Sequence, residues 1–96
     1  MSYYNKKLII EKIIFQLPKK YYDDYIEWLS IGYFIFNELG SDGFTLFDKW
    51  SQQSSKYHPQ SIKETYYNYN LYLNKNLIHI YNIDSLHSLN IKNETK

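Results

Sequence analysis

The 96-residue sequence contains no cysteine, arginine, alanine or valine. Without cysteine, the chain has no disulfide framework, no thiol nucleophile and no cysteine-based zinc site. Its three glycines, Gly32, Gly40 and Gly43, are too few and too widely spaced to form a phosphate-binding loop. The longest apolar stretch, 26–36, is interrupted by polar residues and is too short to span a membrane. Because the N-terminal residues also lack the apolar core of a signal peptide, we predict a soluble intracellular protein without membrane contact.

Signals of enzymatic chemistry are also lacking. No G-x-S-x-G segment is present, and His58, His79 and His87 follow no catalytic or zinc-ligand spacing. Asp23 and Asp24 are adjacent, and neighbouring residues of a helix point about 100° apart, so the pair is better suited to a helix N-terminus than to a metal. We therefore predict no catalytic residue, no metal, no cofactor and no small-molecule substrate.

Four residue types, Ile, Asn, Tyr and Lys, supply 44 of the 96 residues. Their codons are rich in A and T, so this composition indicates an AT-rich genome. We therefore attribute the tyrosine excess to codon bias in preference to an aromatic recognition surface. The net charge of +1 argues against a protein that holds duplex DNA by phosphate neutralisation, because each phosphate contact needs a cation.

Apolar residues recur at helical spacing along most of the chain, and the sequence predicts helices at 4–17, 26–39, 44–50, 58–73 and 84–91. Pro18 ends the first helix, and Gly40 is expected to be the C-cap of the second. Residues 74–82 are expected to form an extended arm or a hairpin, and residues 92–96 a flexible tail. The predicted fold is all-α, a small bundle of four to five helices in which residues 1–96 form a single domain.

Gly32 departs from this pattern because it lies inside the second predicted helix. An interior glycine costs about 1 kcal/mol relative to alanine, so another interaction should offset it. We predict that another helix approaches closely here, with Trp50 or Phe15 above the glycine. Close approach of a ligand is the alternative.

Three segments together resemble a known family: QLP at 16–18, DDYIEWLSIG at 23–32 and GFTLFDKWSQQSSKY at 43–57. They are similar to the primase C-terminal type 2 domain. In that family, a small helical module follows the catalytic primase domain and precedes the superfamily 3 helicase in primase-helicases of large DNA viruses, and it also occurs in phage and plasmid replication proteins. The likeness covers about 13–89, and Tyr66 stands where the family has a third tryptophan.

The resemblance implies a structural core made of the motif residues, which are Trp28, Gly32, Phe47, Trp50, Ser51 and Tyr66. The two tryptophans have large apolar rings with one donor each, which favours packing between helices over stacking on bases. The candidates for nucleic-acid contact are Lys49, Lys56, Lys63 and Tyr57. Lysines can meet a phosphate backbone and an exposed tyrosine can stack on an unpaired base, although all four also fit an ordinary solvated surface.

The resemblance implies a non-catalytic accessory domain of a DNA primase or primase-helicase. Such a domain helps to bind or position single-stranded template or primer next to the catalytic module in DNA replication. The alternative is a connector or oligomerisation element between primase and helicase that does not contact nucleic acid, and the near-neutral charge favours it. The implied partners are single-stranded DNA and the primase catalytic and helicase domains, in cis or in trans. For a viral protein, the expected location is the replication site in the host cytoplasm.

Overall fold

A computed structural model describes residues 3–69 and 75–94, and these residues form an all-α bundle without a strand. The predicted fold class is therefore confirmed. The α-helices are α1 (Tyr3–Phe15), α2 (Lys20–Asp23), α3 (Tyr25–Leu39), α4 (Phe44–Ser51), α5 (Pro59–Tyr67) and α6 (Ile83–Glu94). Two short 3-10 helices cover Gly40–Gly43 and Lys75–Leu77. Within these described ranges, no helix is both long and apolar enough to cross a membrane.

Helix α3 lies at the centre of the bundle and packs against α1, α2, α4 and α5. It begins where the carboxylate of Asp24 accepts the backbone N–H of Glu27 at 3.1 Å, which satisfies one of the free donors of the first turn. It ends at Gly40, whose φ of 61° lies in the region that favours glycine. The sequence therefore identified both ends of this helix.

Aromatic side chains fill the space between α3, α4 and α5. Phe47, Trp50 and Tyr66 are fully buried. The indole Nε1 of Trp50 donates to the carbonyl of Ile14 at 3.0 Å, and the hydroxyl of Tyr66 donates to the carbonyl of Gly40. Each polar atom of these large rings thus has a partner in the interior, which is the usual condition for burying Trp and Tyr.

The close approach predicted at Gly32 is confirmed, but its neighbours differ from those expected. A Cβ atom at this position would collide with the hydroxyl of Tyr69 and would lie 2.7 Å from two ring carbons of Phe47. The nearest neighbours of Gly32 are thus Tyr69 and Phe47, and not the predicted Trp50 or Phe15. Phe15 lies partly exposed on α1. Tyr69 takes the place next to the glycine because its hydroxyl reaches past Gly32 to the carbonyl of Leu29, at 3.0 Å.

Helix α6 packs against α1 and closes the bundle. Leu86 is fully buried, and the amide nitrogen of Asn90 donates to the carbonyl of Ile13 at 3.2 Å. The helix extends to Glu94, so residues 92–94 of the predicted tail are helical. Residues 95–96 lie outside the described residues.

Three further elements differ from the sequence prediction. Helix α1 ends at Phe15, two residues before its predicted end. Helix α2 was not predicted; it forms because Tyr21 donates its backbone N–H to the carbonyl of Pro18 at 3.0 Å and buries its ring. Helix α5 ends at Tyr67, because the backbone N–H of Asn68 turns back to the carbonyl of Thr65. The remainder of the predicted fourth helix, 70–73, lies outside the described residues.

The predicted arm has no hairpin pairing in its described part, 75–82. Its first three residues form a 3-10 turn, and 78–82 follow without regular secondary structure. The reason is that its hydrogen bonds are made with α3 instead of with a second strand. The backbone N–H of His79 donates to the hydroxyl of Ser30 at 2.9 Å, and the hydroxyl of Tyr81 donates to the carboxylate of Glu27 at 2.8 Å.

Candidate functional site

A groove with a volume of about 230 Å³ opens where α2 and the start of α3 meet the end of α4 and the start of α5. Its lining combines aromatic rings, hydroxyl groups and one lysine. The lining residues are Tyr22, Asp23, Tyr25, Trp28, Ser51, Ser54, Lys56, Tyr57, His58, Ser61 and Ile62. We refer to this feature as the aromatic groove.

A row of four aromatic rings leads from the core to this groove. Trp50 lies against Phe47 with ring centroids 6.4 Å apart, and Phe47 stacks on Trp28 at 5.2 Å. Trp28 in turn lies 6.0 Å from Tyr25. Each ring is inclined by only 28° to 30° to the next. The row begins at the fully buried Trp50 and ends at Tyr25, whose side chain is 66% exposed.

The orientation of Trp28 is fixed by a hydrogen bond. Its indole Nε1 donates to the hydroxyl of Ser51 at 2.9 Å, and Ser51 is itself buried at the end of α4. This bond joins two residues of the motif that are 23 positions apart in the chain. It holds the half-buried indole in the wall of the groove, where one part of the ring is accessible.

Charged groups at the groove are few and mutually compensated. The ammonium group of Lys56 donates to the backbone carbonyl of Asp23 at 2.9 Å. Hydrogen bonds from Lys19 and from Ser54, together with the positive charges of Lys19 and Lys56, hold the pKa of Asp23 below its ordinary value. The Asp23 carboxylate is therefore ionised at neutral pH, and Lys56 is the cation beside it.

Tyr57 forms part of the opposite wall. Its hydroxyl donates to the carboxylate of Asp48 at 2.7 Å, and this bond, with partial burial and the negative charge, raises the pKa of the Tyr57 phenol. The phenol therefore remains neutral at physiological pH. Its half-buried ring is held in place by α4.

The four candidates for nucleic-acid contact do not lie together. Lys56 and Tyr57 line the aromatic groove. Lys49 faces α1, with its ammonium group 3.4 Å from the carboxylate of Glu11 and 5.6 Å from the ring centroid of Phe15. Lys63 lies on the exposed surface of α5. The role of these four residues stays a prediction.

Sequence reasoning did not identify Tyr22 and Tyr25 as groove residues. Both were covered by the codon-bias explanation of the tyrosine excess. One signal was available, because Tyr25 precedes Trp28 by three positions, which places the two rings on the same face of a helix.

Among the described residues, no group of three or more His, Asp or Glu side chains is arranged to hold a metal ion.

Comparison with known proteins identifies the family. No solved structure matches the chain. A segment of 53 residues is 40% identical to the protein named "Putative helicase 121R" of Invertebrate iridescent virus 3; the match covers 52% of this chain and 6% of that protein. Residues 10–80 match the family described as Primase C terminal 2 (PriCT-2). This match covers most of the chain, including the motif residues around Trp28 and Trp50, and the chain therefore belongs to the primase C-terminal type 2 family.

Proposed function

We propose that this chain is a non-catalytic accessory domain of a DNA primase or primase-helicase and that it binds single-stranded DNA beside the catalytic module. Membership of the family and the similarity to a protein named as a viral helicase support the replication context. The aromatic groove supports the DNA-binding role. The proposed partners in cis or in trans are the primase catalytic domain and the helicase.

The observation that carries the proposal is the combination of accessible aromatic rings with a lysine in one groove. Proteins that bind single strands without sequence preference combine base stacking on aromatic side chains with cations that follow the backbone. Tyr25, Trp28 and Tyr57 supply rings of different accessibility, and Lys56 supplies the cation. The groove thus has both components, in a chain whose net charge is only +1.

The charge distribution favours single-stranded over duplex DNA. Bases in a duplex are stacked on each other and are not available to an aromatic side chain, so affinity for a duplex depends on phosphate contacts. Asp23 lies beside Lys19 and Lys56, and Asp48 accepts the hydroxyl of Tyr57, so both carboxylates reduce the attraction of this surface for phosphates. Stacking is therefore expected to contribute more of the affinity than charge does.

Fluorescence anisotropy of the chain with a labelled single strand, at low and moderate salt, tests the proposal. We expect binding that weakens as the salt concentration rises. Lys56→Gln should lower the affinity, and it should reduce the magnitude of the slope of log K against log salt by about 0.7, the value for one lost phosphate contact on a single strand. Lys12→Gln is the matched control, because Lys12 is an exposed lysine on α1. Lys49→Gln and Lys63→Gln then report whether the strand continues beyond the groove. Absence of binding even at low salt contradicts the proposal.

A second candidate function is that of a connector that contacts only protein. It is favoured by Leu8 and Phe15, which are exposed on the same side of α1 and form a shallow apolar surface next to Lys49. A connector predicts that the chain binds the primase or helicase part of its replication protein and that Leu8→Ser with Phe15→Ser abolishes this association. In that case the anisotropy titration would show no binding of DNA.

A further inference from the structure

We infer that the aromatic groove holds one unpaired base of a single strand, stacked at the outer end of the aromatic row on Tyr25, with the adjoining phosphate at Lys56. This inference rests on the proposed function and specifies the ligand and the mode of binding. It separates this chain from proteins that bind a run of bases along an extended channel.

The size of the groove limits its occupant. Pockets for drug-sized ligands have volumes of about 300–1,000 Å³. The aromatic groove, at about 230 Å³, lies below that range. A groove of this size suits one planar ring system.

The aromatic row supplies the stacking surface. Trp50, Phe47 and Trp28 hold each other nearly parallel within the protein, and Tyr25 continues the same inclination into solvent. Aromatic rings prefer offset-stacked or edge-to-face contacts with a neighbouring ring, and the exposed side of Tyr25 has room for one more ring. A base stacked there extends the row by one member. Little reorganisation is needed, because Trp28 is already fixed by Ser51.

The polar groups of the groove suit a base of any identity with one phosphate. The hydroxyl group of Ser61 can donate or accept a hydrogen bond, so it does not select one base edge. The hydroxyl of Ser54 is already engaged, because it accepts the backbone N–H of Lys56 and faces the carboxylate of Asp23. Lys56 retains donors beyond the one bound to the carbonyl of Asp23, because an ammonium group has three. The Asp23 carboxylate next to it disfavours a second phosphate. Binding is therefore expected to be tolerant of sequence and only weakly dependent on salt.

Tryptophan fluorescence gives a direct readout, because the two tryptophans report on different places. Trp50 is fully buried, whereas Trp28 lines the groove. We expect a short oligodeoxythymidine to quench the emission of the wild-type chain. In Trp28→Phe, which leaves only Trp50, a saturating concentration of the strand should leave the emission unchanged. Anisotropy of the labelled strand sets that concentration, because Trp28 itself lines the groove and its loss is expected to weaken binding.

Substitution of Tyr25 tests the stacking position. Tyr25→Leu should weaken binding of the strand by about tenfold or more, because a stacking ring is lost, whereas Tyr25→Phe should bind as the wild type does. Tyr67→Leu is the matched control, since Tyr67 is an aromatic residue of α5 that is 49% exposed and lies outside the groove. Circular dichroism of each variant checks that the fold is retained.

The outcomes separate the inference from the proposed function. If a labelled strand binds but Trp28 emission is unchanged and Tyr25→Leu binds as tightly as the wild type, the base is not in the groove and the inference is wrong, while the proposed function stands. If no strand binds at low salt, the proposed function and the inference both fail. The shortest strand that still binds provides a further comparison. If the inference is correct, replacing its stacked base with an abasic site should weaken binding; equal binding of the two strands would contradict the inference.

Discussion

At Gly32 the helix α3 has no room for even one additional methyl group. A Cβ atom there would meet the Tyr69 hydroxyl and the Phe47 ring at distances that real side chains do not adopt. Alanine would gain about 1 kcal/mol in helix propensity, but overpacking of a filled core costs about 1–3 kcal/mol or more. We therefore expect Gly32→Ala to lower the free energy of unfolding, by up to about 2 kcal/mol, measured by urea denaturation.

Tyr69→Phe provides the matched background for this prediction. It removes the hydroxyl that lies closest to the added methyl group but leaves Phe47 in place. Gly32→Ala should be less destabilising in the Tyr69→Phe chain than in the wild type, and the double-mutant cycle measures that coupling. Equal cost in both backgrounds would show that the Tyr69 hydroxyl does not restrict position 32.

The residues of the groove show where sequence reasoning reached its limit. Trp50 was recognisable as a core residue and Trp28 as a residue that packs on the core, because tryptophan is rare in this composition and both lie on apolar helix faces. Tyr25 was not recognisable, since twelve tyrosines occur in the chain and their individual exposure depends on tertiary packing. The pairing of Trp28 with Ser51 likewise depends on how α3 meets α4, which spacing along the chain does not encode.

At the scale of elements, periodicity predicted α3 and α4 well because each has one continuous apolar face and a polar segment or a glycine at its end. Helix α2 has only four residues and is too short to show a period. The end of α5 was predicted too late because Tyr69 continues the apolar spacing although the backbone has already turned. Tyr69 is buried because the turn after α5 directs its hydroxyl to the backbone carbonyl of Leu29.

The segment 78–82 is attached to α3 through side chains, and this attachment can be tested separately from global stability. Burial and the hydrogen bond to Glu27 raise the pKa of Tyr81, so its phenol is a permanent donor at neutral pH. A hydrogen bond contributes about 0.5–1.5 kcal/mol net, so Tyr81→Phe should accelerate exchange of the nearby His79 amide by about two- to tenfold. Hydrogen–deuterium exchange measured by NMR gives this rate.

Tyr67→Phe is the control for this measurement, because Tyr67 is exposed on α5, whereas His79 and Tyr81 are hydrogen-bonded to α3. Amides of α4 and of the centre of α3 should exchange at the wild-type rate in both variants, since they open only in larger unfolding events. If Tyr81→Phe accelerated all amides equally, the segment would not open on its own and the prediction would be wrong.

At the scale of the whole molecule, the core is one continuous cluster of buried residues from Ile10 to Leu86. The radius of gyration of the Cα atoms, 12.7 Å, agrees with the value of about 13 Å that is typical of a compact domain of 100 residues. Helix α6 joins α1 through Leu86 and Asn90 and thereby brings distant parts of the chain together. These features lead us to expect that the chain unfolds as a single cooperative unit.

Leu86→Ala tests that expectation, because Leu86 is fully buried in the last helix, whereas Trp50 is fully buried in α4, near the middle of the chain. Removal of a buried leucine side chain costs about 2–5 kcal/mol. If the domain is one unit, the variant should shift the urea transition followed by tryptophan fluorescence and that followed by far-ultraviolet circular dichroism to the same lower midpoint. Leu77→Ala, at a position that is 63% exposed, should change stability by no more than about 0.5 kcal/mol. A loss of helical signal in Leu86→Ala that precedes the fluorescence transition would instead mean that α6 unfolds separately, because the environment of Trp50 would then survive the release of the helix that closes the bundle.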